Sequence, residues 1–230
     1  MIAMALDTSG GEASVALVRD EPGLREVLGT AVLPTGMRHG VDLFPALQRL
    51  LEDASVAPRD VRLVAVGTGP GSYTGLRVGI TAARAFAYAA GAQLLGIPSC
   101  DAWAAATPID VRPLAVVLDA RIKAVYLAVY EAAGGAWVRR DGPELMEPGA
   151  AVARIPANAV LVGDGVAPYA EAFTGRVAAA TPTRADASQV AGLALGRMAR
   201  GERDAMESVV PLYLRKTEAE LKREGRLDGR

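Results

Sequence analysis

The N-terminal part of the chain alternates between short apolar runs and turns. An apolar run at 2–6 is separated by a turn at 7–11 (Asp-Thr-Ser-Gly-Gly) from a second run at 14–18. A turn at 21–23 then precedes a third run at 25–33. Short apolar or alternating runs bounded by Gly, Pro and Asp are typical of strands, so this segment predicts an antiparallel meander.

Beyond residue 40 the apolar residues recur at helical spacing. They are Val41, Phe44, Leu47, Leu50, Leu51 and Ala54. This spacing predicts one helix, in which Pro45 is tolerated in the first turn or as a kink. The elements predicted next are a strand at 62–66, a glycine-rich loop at 67–71, a helix at about 73–90, a strand at 93–97 and a short helix at 99–106.

The pattern of strand, Asp-containing turn and strand then starts again. Strands are predicted at 113–118, 124–130, 137–140 and 160–162, followed by a helix at 187–200. This internal repeat predicts two similar α/β subdomains, 1–107 and 108–215, with a charged and flexible tail at 216–230. A hairpin turn from each half is expected to face the cleft between them, where backbone N–H groups can cradle an anion.

The charge and the rare residue types exclude several classes of function. The chain has 25 basic and 26 acidic residues and no basic run interleaved with aromatics, so it lacks the basic face of a protein that grips RNA alone. The single cysteine, Cys100, is typical of a reducing cytosol, and the single histidine, His39, argues against a conventional zinc site. No targeting or membrane-spanning segment is expected, which predicts a cytoplasmic protein.

The segment 67–79 is the most unusual one, with five glycines in thirteen residues. Its spacing matches neither a P-loop nor a dinucleotide-binding fingerprint. It can hold an anion at the start of the following helix, or it can simply cap that helix with Ser72 or Thr74. Gly75, Gly79 and Ala83 share one helix face, which allows close packing either within this chain or against a partner.

Four segments together resemble one known family. They are Asp-Thr-Ser at 7–9, Gly-Pro-Gly-Ser-Tyr-Thr-Gly-Leu-Arg-Val-Gly at 69–79, Asp-Ala-Arg at 119–121 with Tyr126 after it, and Pro-Leu-Tyr-Leu-Arg at 211–215. These motifs are similar to those of the TsaB family, also called YeaZ, over about residues 1–215. The resemblance implies the actin/Hsp70/sugar-kinase (ASKHA) fold, an α/β fold with two related βββαβα-type subdomains.

The resemblance also implies a function in tRNA modification. TsaB pairs with its paralogue TsaD, which transfers threonylcarbamoyl to N6 of adenosine 37 in ANN-decoding tRNAs, and the ATPase TsaE docks on the pair. TsaD carries a His-x-x-x-His metal motif, and the matching place here, 97–103, contains no histidine. This chain is therefore expected to be non-catalytic, to need no cofactor of its own, and to meet tRNA only through the complex.

TsaD is expected to contact the first two long helices. The predicted interface residues are His39, Leu43, Leu47, Leu50, Gly75, Leu76, Gly79, Ile80 and Ala83. Gly79→Leu is accordingly expected to break the pairing and to leave the fold largely intact. A second copy of the chain can use the same helices, which would give a symmetric homodimer.

The cleft between the halves resembles an eroded nucleotide site. Bulky Arg121 stands where working members of the superfamily keep a small, Gly-containing phosphate loop. Its side chain can approach a phosphate or fill the gap that the nucleotide left, and the cleft is expected to be filled or weak. Its predicted residues are Asp7, Thr8, Ser9, Gly69, Gly71, Asp119, Arg121, Gly163 and Gly165. Two enzymatic alternatives are a stand-alone nucleotide-binding phosphotransferase, with Asp7 and Asp119 beside a metal, and a metallopeptidase, against which the single histidine argues.

Overall fold

The first half of the chain forms one five-stranded sheet with two long helices. The computed structural model describes residues 1–33, 39–178 and 185–215. The elements of this half are β1 (Ile2–Asp7), β2 (Ala13–Glu21), β3 (Leu24–Leu33), α1 (His39–Asp53), β4 (Val61–Gly69), α2 (Tyr73–Ala90), β5 (Gln93–Pro98) and α3 (Ser99–Ala105). The strand order is β3-β2-β1-β4-β5. The meander β1–β3 is antiparallel as predicted, whereas β4 runs parallel to both β1 and β5.

The second half repeats this arrangement. Its elements are β6 (Leu114–Asp119), β7 (Val125–Ala133), β8 (Ala136–Met146), α4 (Pro148–Arg154), β9 (Val160–Val162), β10 (Val177–Ala178) and α5 (Ala187–Ala199). The strand order β10-β9-β6-β7-β8 mirrors that of the first sheet, because β6–β8 form an antiparallel meander and β9 pairs in parallel with β6 and β10. Two such halves constitute the ASKHA fold, which confirms the predicted fold class.

Helix α2 begins and ends where its sequence predicts. Ser72 is the N-cap residue, and its Oγ accepts a hydrogen bond from the Gly75 N–H at 3.2 Å. Gly91 ends the helix in the left-handed conformation (φ 65°) that glycine adopts without strain. The predicted loop at 67–71 is shorter than expected, because β4 continues to Gly69 through its pairing with β5.

Helix α5 returns to the first sheet. Val190, Ala191, Ala194 and Leu195 are buried against β1, β2, β4 and β5, where the small side chains of Ala3 and Ala5 allow close contact. The sequence predicted this helix to be part of the C-terminal subdomain 108–215. The structure places it in the core of the first half, while the predicted boundary at residue 107 stays a prediction.

Two short elements of the second half were not predicted. Helix α4 has seven residues and β10 has two, which is too short for either the helical or the strand period to appear in the sequence. No helix within the described ranges is both long and apolar enough to cross a bilayer.

Asp186→Ala is expected to lower the free energy of unfolding by about 1 kcal/mol. Asp186 and Gln189 form a capping box at the start of α5. The Ser188 N–H donates to Asp186 Oδ1 at 2.7 Å, and the Asp186 N–H donates to Gln189 Oε1 at 2.9 Å. Urea denaturation measures the loss. Asp186→Asn keeps the acceptor oxygen, so an equal loss in that variant would contradict the capping explanation.

Candidate functional site

An open cleft of about 730 Å³ lies between the two halves. Its walls come from the first hairpin turn, the second hairpin turn, the start of α2, the loop after β9 and the C-terminal segment. The lining residues are 9–11, 119–121, Tyr126, 71–74, Asp164, Leu212, Tyr213 and Arg215. This confirms that one hairpin turn from each half faces the cleft.

The first turn packs against the start of α2 rather than opening fully into the cleft. Thr8 is buried, and its Oγ1 donates to the Gly75 carbonyl at 2.7 Å. A Cβ atom at Gly75 or Gly79 would overlap Thr8, and one at Gly71 would overlap Ser9. The Ser72 N–H donates to the Ser9 carbonyl at 2.7 Å. The glycines of the motif therefore let a turn of the first half touch the helix backbone.

Asp7 lies at the end of β1 and is buried beneath this turn. Its Oδ1 accepts a hydrogen bond from the Ser9 N–H at 2.9 Å, and Gly67 of β4 leaves just enough room for the carboxyl group. Burial raises the pKa of the Asp7 carboxyl above its ordinary value, although the hydrogen bonds from Ser9 oppose that shift. Asp7 and Thr8 are buried behind the cleft wall and do not line the cleft.

Five predicted cleft residues thus lie outside the cleft wall. Besides Asp7 and Thr8 they are Gly69, Gly163 and Gly165. The Gly69 N–H donates to Ser99 Oγ at 3.1 Å, while Gly163 and Gly165 lie against the backbone of Val117 and Leu118. These glycines have a structural role, because any side chain there would overlap neighbouring atoms. Ser9, Gly71, Asp119 and Arg121 do line the cleft, as predicted.

The second turn is held by Asp119. Its Oδ1 accepts from the Arg121 N–H at 2.8 Å and from the Tyr169 hydroxyl at 3.2 Å. The Asp119 N–H donates to Asp164 Oδ1 at 2.9 Å, and burial, with the nearby Asp119 charge, raises the pKa of the Asp164 carboxyl. Residues 121–123 all have positive φ (62°, 47° and 59°), a conformation that strains L-residues, especially the β-branched Ile122.

Arg121 does not fill the cleft, so of the two expectations, a filled or a weak cleft, the first is wrong. Its side chain is 72% exposed and forms an ion pair with Asp119 (Nε to Oδ2, 3.5 Å) at the cleft edge. The cleft remains open beside it, so any weakness in nucleotide binding has another cause.

Three backbone N–H groups of the two turns are not available to the phosphates of a nucleotide. A phosphate loop needs free backbone N–H groups, but the N–H groups of Ser9, Ala120 and Arg121 already donate within their own turns. The cleft wall carries charges of both signs, with Asp119 and Asp164 beside Arg121 and Arg215. Among the residues that the structure describes, no three His, Cys, Asp or Glu side chains form a cluster that could hold a metal ion.

One side-chain cluster that the sequence did not predict joins the motifs at 69–79 and 211–215. The rings of Tyr73 and Tyr213 stack with centroids 4.6 Å apart. The Arg77 guanidinium lies 4.3 Å from the Tyr73 ring centroid, and its Nε donates to the Tyr213 hydroxyl at 3.0 Å. All three residues were part of the motifs at 69–79 and 211–215, but no sequence pattern pairs residues 136 positions apart.

Eight of the predicted partner-interface residues are buried within this chain, although Leu43 and Leu47 also border grooves on the outer surface. Leu43, Leu47, Leu50, Gly75, Leu76, Gly79, Ile80 and Ala83 are all buried. Leu43, Leu47 and Leu50 pack on the first sheet, and Gly75 and Gly79 pack on Thr8. The apolar stripes that the periodicity revealed are the core faces of their helices. The His39 side chain lies outside the described part of the chain.

The outer faces of the same helices carry apolar grooves instead. One groove of about 410 Å³ runs between α1 and α2 and is lined by Leu43, Phe44, Arg77, Val78, Thr81, Ala82 and Ala85. A second, of about 610 Å³, lies on the other side of Phe44 and includes Phe86 and Pro58. The Phe44 side chain stands between them and is 49% exposed. We call this surface the α1–α2 face.

Fold and site together define the class of this protein. Two five-stranded halves of identical topology enclose a cleft that one hairpin turn from each half faces. This is the architecture of ASKHA proteins.

Comparison with known proteins identifies the family. The family model described as TsaD, tRNA N6-adenosine threonylcarbamoyltransferase, matches residues 32–223. The tRNA threonylcarbamoyladenosine biosynthesis protein TsaB of Bacillus subtilis is 31% identical over 135 residues, which span 59% of this chain and 57% of that protein. The crystal structure of YeaZ from Pseudomonas aeruginosa has a TM-score of 0.76 and 28% identity, covering 93% of this chain and 99% of that one. The chain therefore belongs to the TsaB (YeaZ) family.

The similarity extends over nearly the whole chain in other relatives. An uncharacterised protein of Mycobacterium tuberculosis is 32% identical over 216 residues, or 94% of this chain and 92% of the relative. A second solved structure, described by its similarity to peptidase YeaZ from Pseudomonas aeruginosa, has a TM-score of 0.79 at 27% identity.

Gly79→Leu is expected to destabilise the fold, in contrast to the expectation from the sequence. Its side chain would overlap Thr8 and break the contact between the first turn and α2, which should lower the free energy of unfolding by at least about 2 kcal/mol. Urea denaturation measures this change. Ala89→Leu on the exposed side of α2 is the control and should change stability by less than about 0.5 kcal/mol. Equal stability of the two variants would place Gly79 outside the core.

Asp7→Asn is expected to change how stability depends on pH. Because the folded pKa of Asp7 is raised above its ordinary value of about 3.9, the folded state holds the proton more tightly than the unfolded state. Wild-type stability should therefore fall as pH rises from about 4 through the folded pKa, and the Asn variant should lose that part of the decline. Urea denaturation across this pH range tests it. A stability difference that stays constant with pH would contradict it.

Proposed function

We propose that this chain is a non-catalytic subunit of tRNA threonylcarbamoyladenosine biosynthesis that pairs with TsaD through the α1–α2 face. The observation that carries the proposal is this exposed apolar face on a chain of the TsaB family. Isolated exposed apolar residues are ordinary, but two adjoining grooves around a half-exposed phenylalanine are typical of a protein–protein contact.

The fold supports TsaD as the occupant of this face. The family model of TsaD matches residues 32–223, so TsaD is expected to have counterparts of α1 and α2. Two related subunits can then pair through equivalent helices, in the manner of a symmetric dimer. A homodimer of this chain would use the same face and compete with TsaD.

The cleft supports a non-catalytic role. Its lining contains no histidine or cysteine that could act as a base or nucleophile, within the described residues. The N–H groups of Ser9, Ala120 and Arg121 are engaged in internal hydrogen bonds, and the carboxylates of Asp119 and Asp164 lie in the cleft wall. In this proposal ATP and metal belong to TsaD and TsaE, and tRNA is bound by the complex, since this chain has a net charge of −1.

Size-exclusion chromatography with light scattering, on this chain and TsaD separately and mixed, tests the pairing. A one-to-one complex is expected. Ala85→Arg places a charged side chain in the groove and should weaken TsaD binding at least tenfold, about 1.4 kcal/mol. Ala153→Arg makes the same change on the exposed side of α4 and should leave binding unchanged. Equal effects of the two variants would move the interface away from α1 and α2.

Isothermal titration with ATP and Mg²⁺ tests the phosphotransferase alternative. Weak or undetectable binding is expected, because the N–H groups of Ser9, Ala120 and Arg121 are already hydrogen-bonded within their turns. A low-micromolar site, together with ATP hydrolysis by this chain alone and no complex with TsaD, would overturn the proposed function.

A further inference from the structure

The C-terminal segment 209–215, here called the strap, crosses the first half and ends at the cleft. Val209 is buried in the core of the first half. Just before the strap and at its start, the Arg84 guanidinium of α2 donates to the carbonyl groups of Met206, Glu207 and Val209 at 3.0, 3.3 and 2.8 Å. This end of the strap is therefore fixed to α2 by a charged group and by apolar burial.

The other end of the strap is attached by fewer contacts. The Leu212 N–H donates to the Thr68 carbonyl at 2.8 Å, and the Tyr213 ring and hydroxyl contact Tyr73 and Arg77. Val210, Leu212 and Tyr213 are all exposed. Leu214 is partly buried against the core of the second half. Residues 210–213 have fewer buried contacts and open more readily than the core, so the Tyr213 contacts help to hold this part of the strap closed.

Arg77 belongs to two surfaces at once. It lines the groove between α1 and α2, and it also lies over Tyr73 while donating to Tyr213, which lines the cleft. A partner seated in the groove removes water from around this guanidinium. A desolvated cation is costly when unpaired, whereas its contact with an aromatic ring strengthens as water leaves.

We propose that Arg77 couples the α1–α2 face to the strap. A partner docks preferentially when the Tyr213 hydroxyl accepts the hydrogen bond from Arg77, which we call the latch, and docking in turn holds the strap closed against the cleft. The coupling is reciprocal, because a closed strap keeps Arg77 paired beneath the partner. Tyr213 is then a positioning residue for docking that lies outside the groove itself. This inference rests on the proposed pairing with TsaD.

Hydrogen exchange in the free protein tests the latch without any partner. Tyr213→Phe keeps the ring and removes the hydroxyl that accepts from Arg77. It should speed exchange of the Leu212 amide about threefold to tenfold. Tyr169→Phe removes a comparable hydroxyl on the opposite side of the cleft, where it donates to Asp119, and should leave that rate unchanged. An unchanged Leu212 rate in Tyr213→Phe would overturn the latch.

Titration with TsaD tests the coupling. Tyr213→Phe should weaken TsaD binding about fivefold, Tyr169→Phe should not, and TsaD should slow Leu212 exchange in the wild-type chain. In an Arg77→Met background, Tyr213→Phe should have no further effect on affinity, which a general structural role of Tyr213 would not explain.

The outcomes separate the two proposals. Equal TsaD affinity of the wild type and Tyr213→Phe would overturn the coupling and leave the pairing intact. Failure of TsaD to bind the wild-type chain would overturn the proposed function and the coupling together, while the exchange rates of the free protein still decide whether the strap is latched.

Discussion

The contact between the first hairpin turn and the start of α2 determines the position of the other functional elements. Gly75 and Gly79 lie directly on Thr8, and Gly71 lies on Ser9, so the helix sits closer to the turn than any other residue would allow. This contact turns the glycine face of α2 inward. The opposite side of the helix, with Arg77 and Ala85, is thereby presented to the solvent beside α1, and its N-terminus forms one wall of the cleft.

The repeat of strand, turn and strand predicted the fold well, because alternation and turn residues are local properties of the sequence. The burial of eight predicted interface residues has an equally physical reason. Helical periodicity identifies the apolar face of α1 at Leu43, Leu47 and Leu50, but it does not say whether a sheet or a partner covers that face. Phe44 is part of the same periodic pattern and yet is half exposed on the outer side, and the periodicity does not single it out from its buried neighbours. The Tyr73–Tyr213 contact depends on tertiary structure alone.

The carboxylates at the two turns of the cleft bind N–H groups of their own turns. The two turns still face each other, but Asp119 has taken the N–H of Arg121, and Asp7 has taken that of Ser9. The glycines after β9 were predicted as cleft residues because they resemble a superfamily loop. In the structure these glycines allow the backbone to approach β6 closely, so their role here is in packing.

The return of α5 to the first sheet has a consequence for the synthesis of this protein. Ala3, Ala5 and Leu63 belong to strands made early, yet the helix that covers them is translated more than a hundred residues later. While the chain is still emerging from the ribosome, the first sheet has one apolar face without its cover. The N-terminal half is therefore expected to complete its folding only after α5 has emerged, and to expose this apolar surface until then.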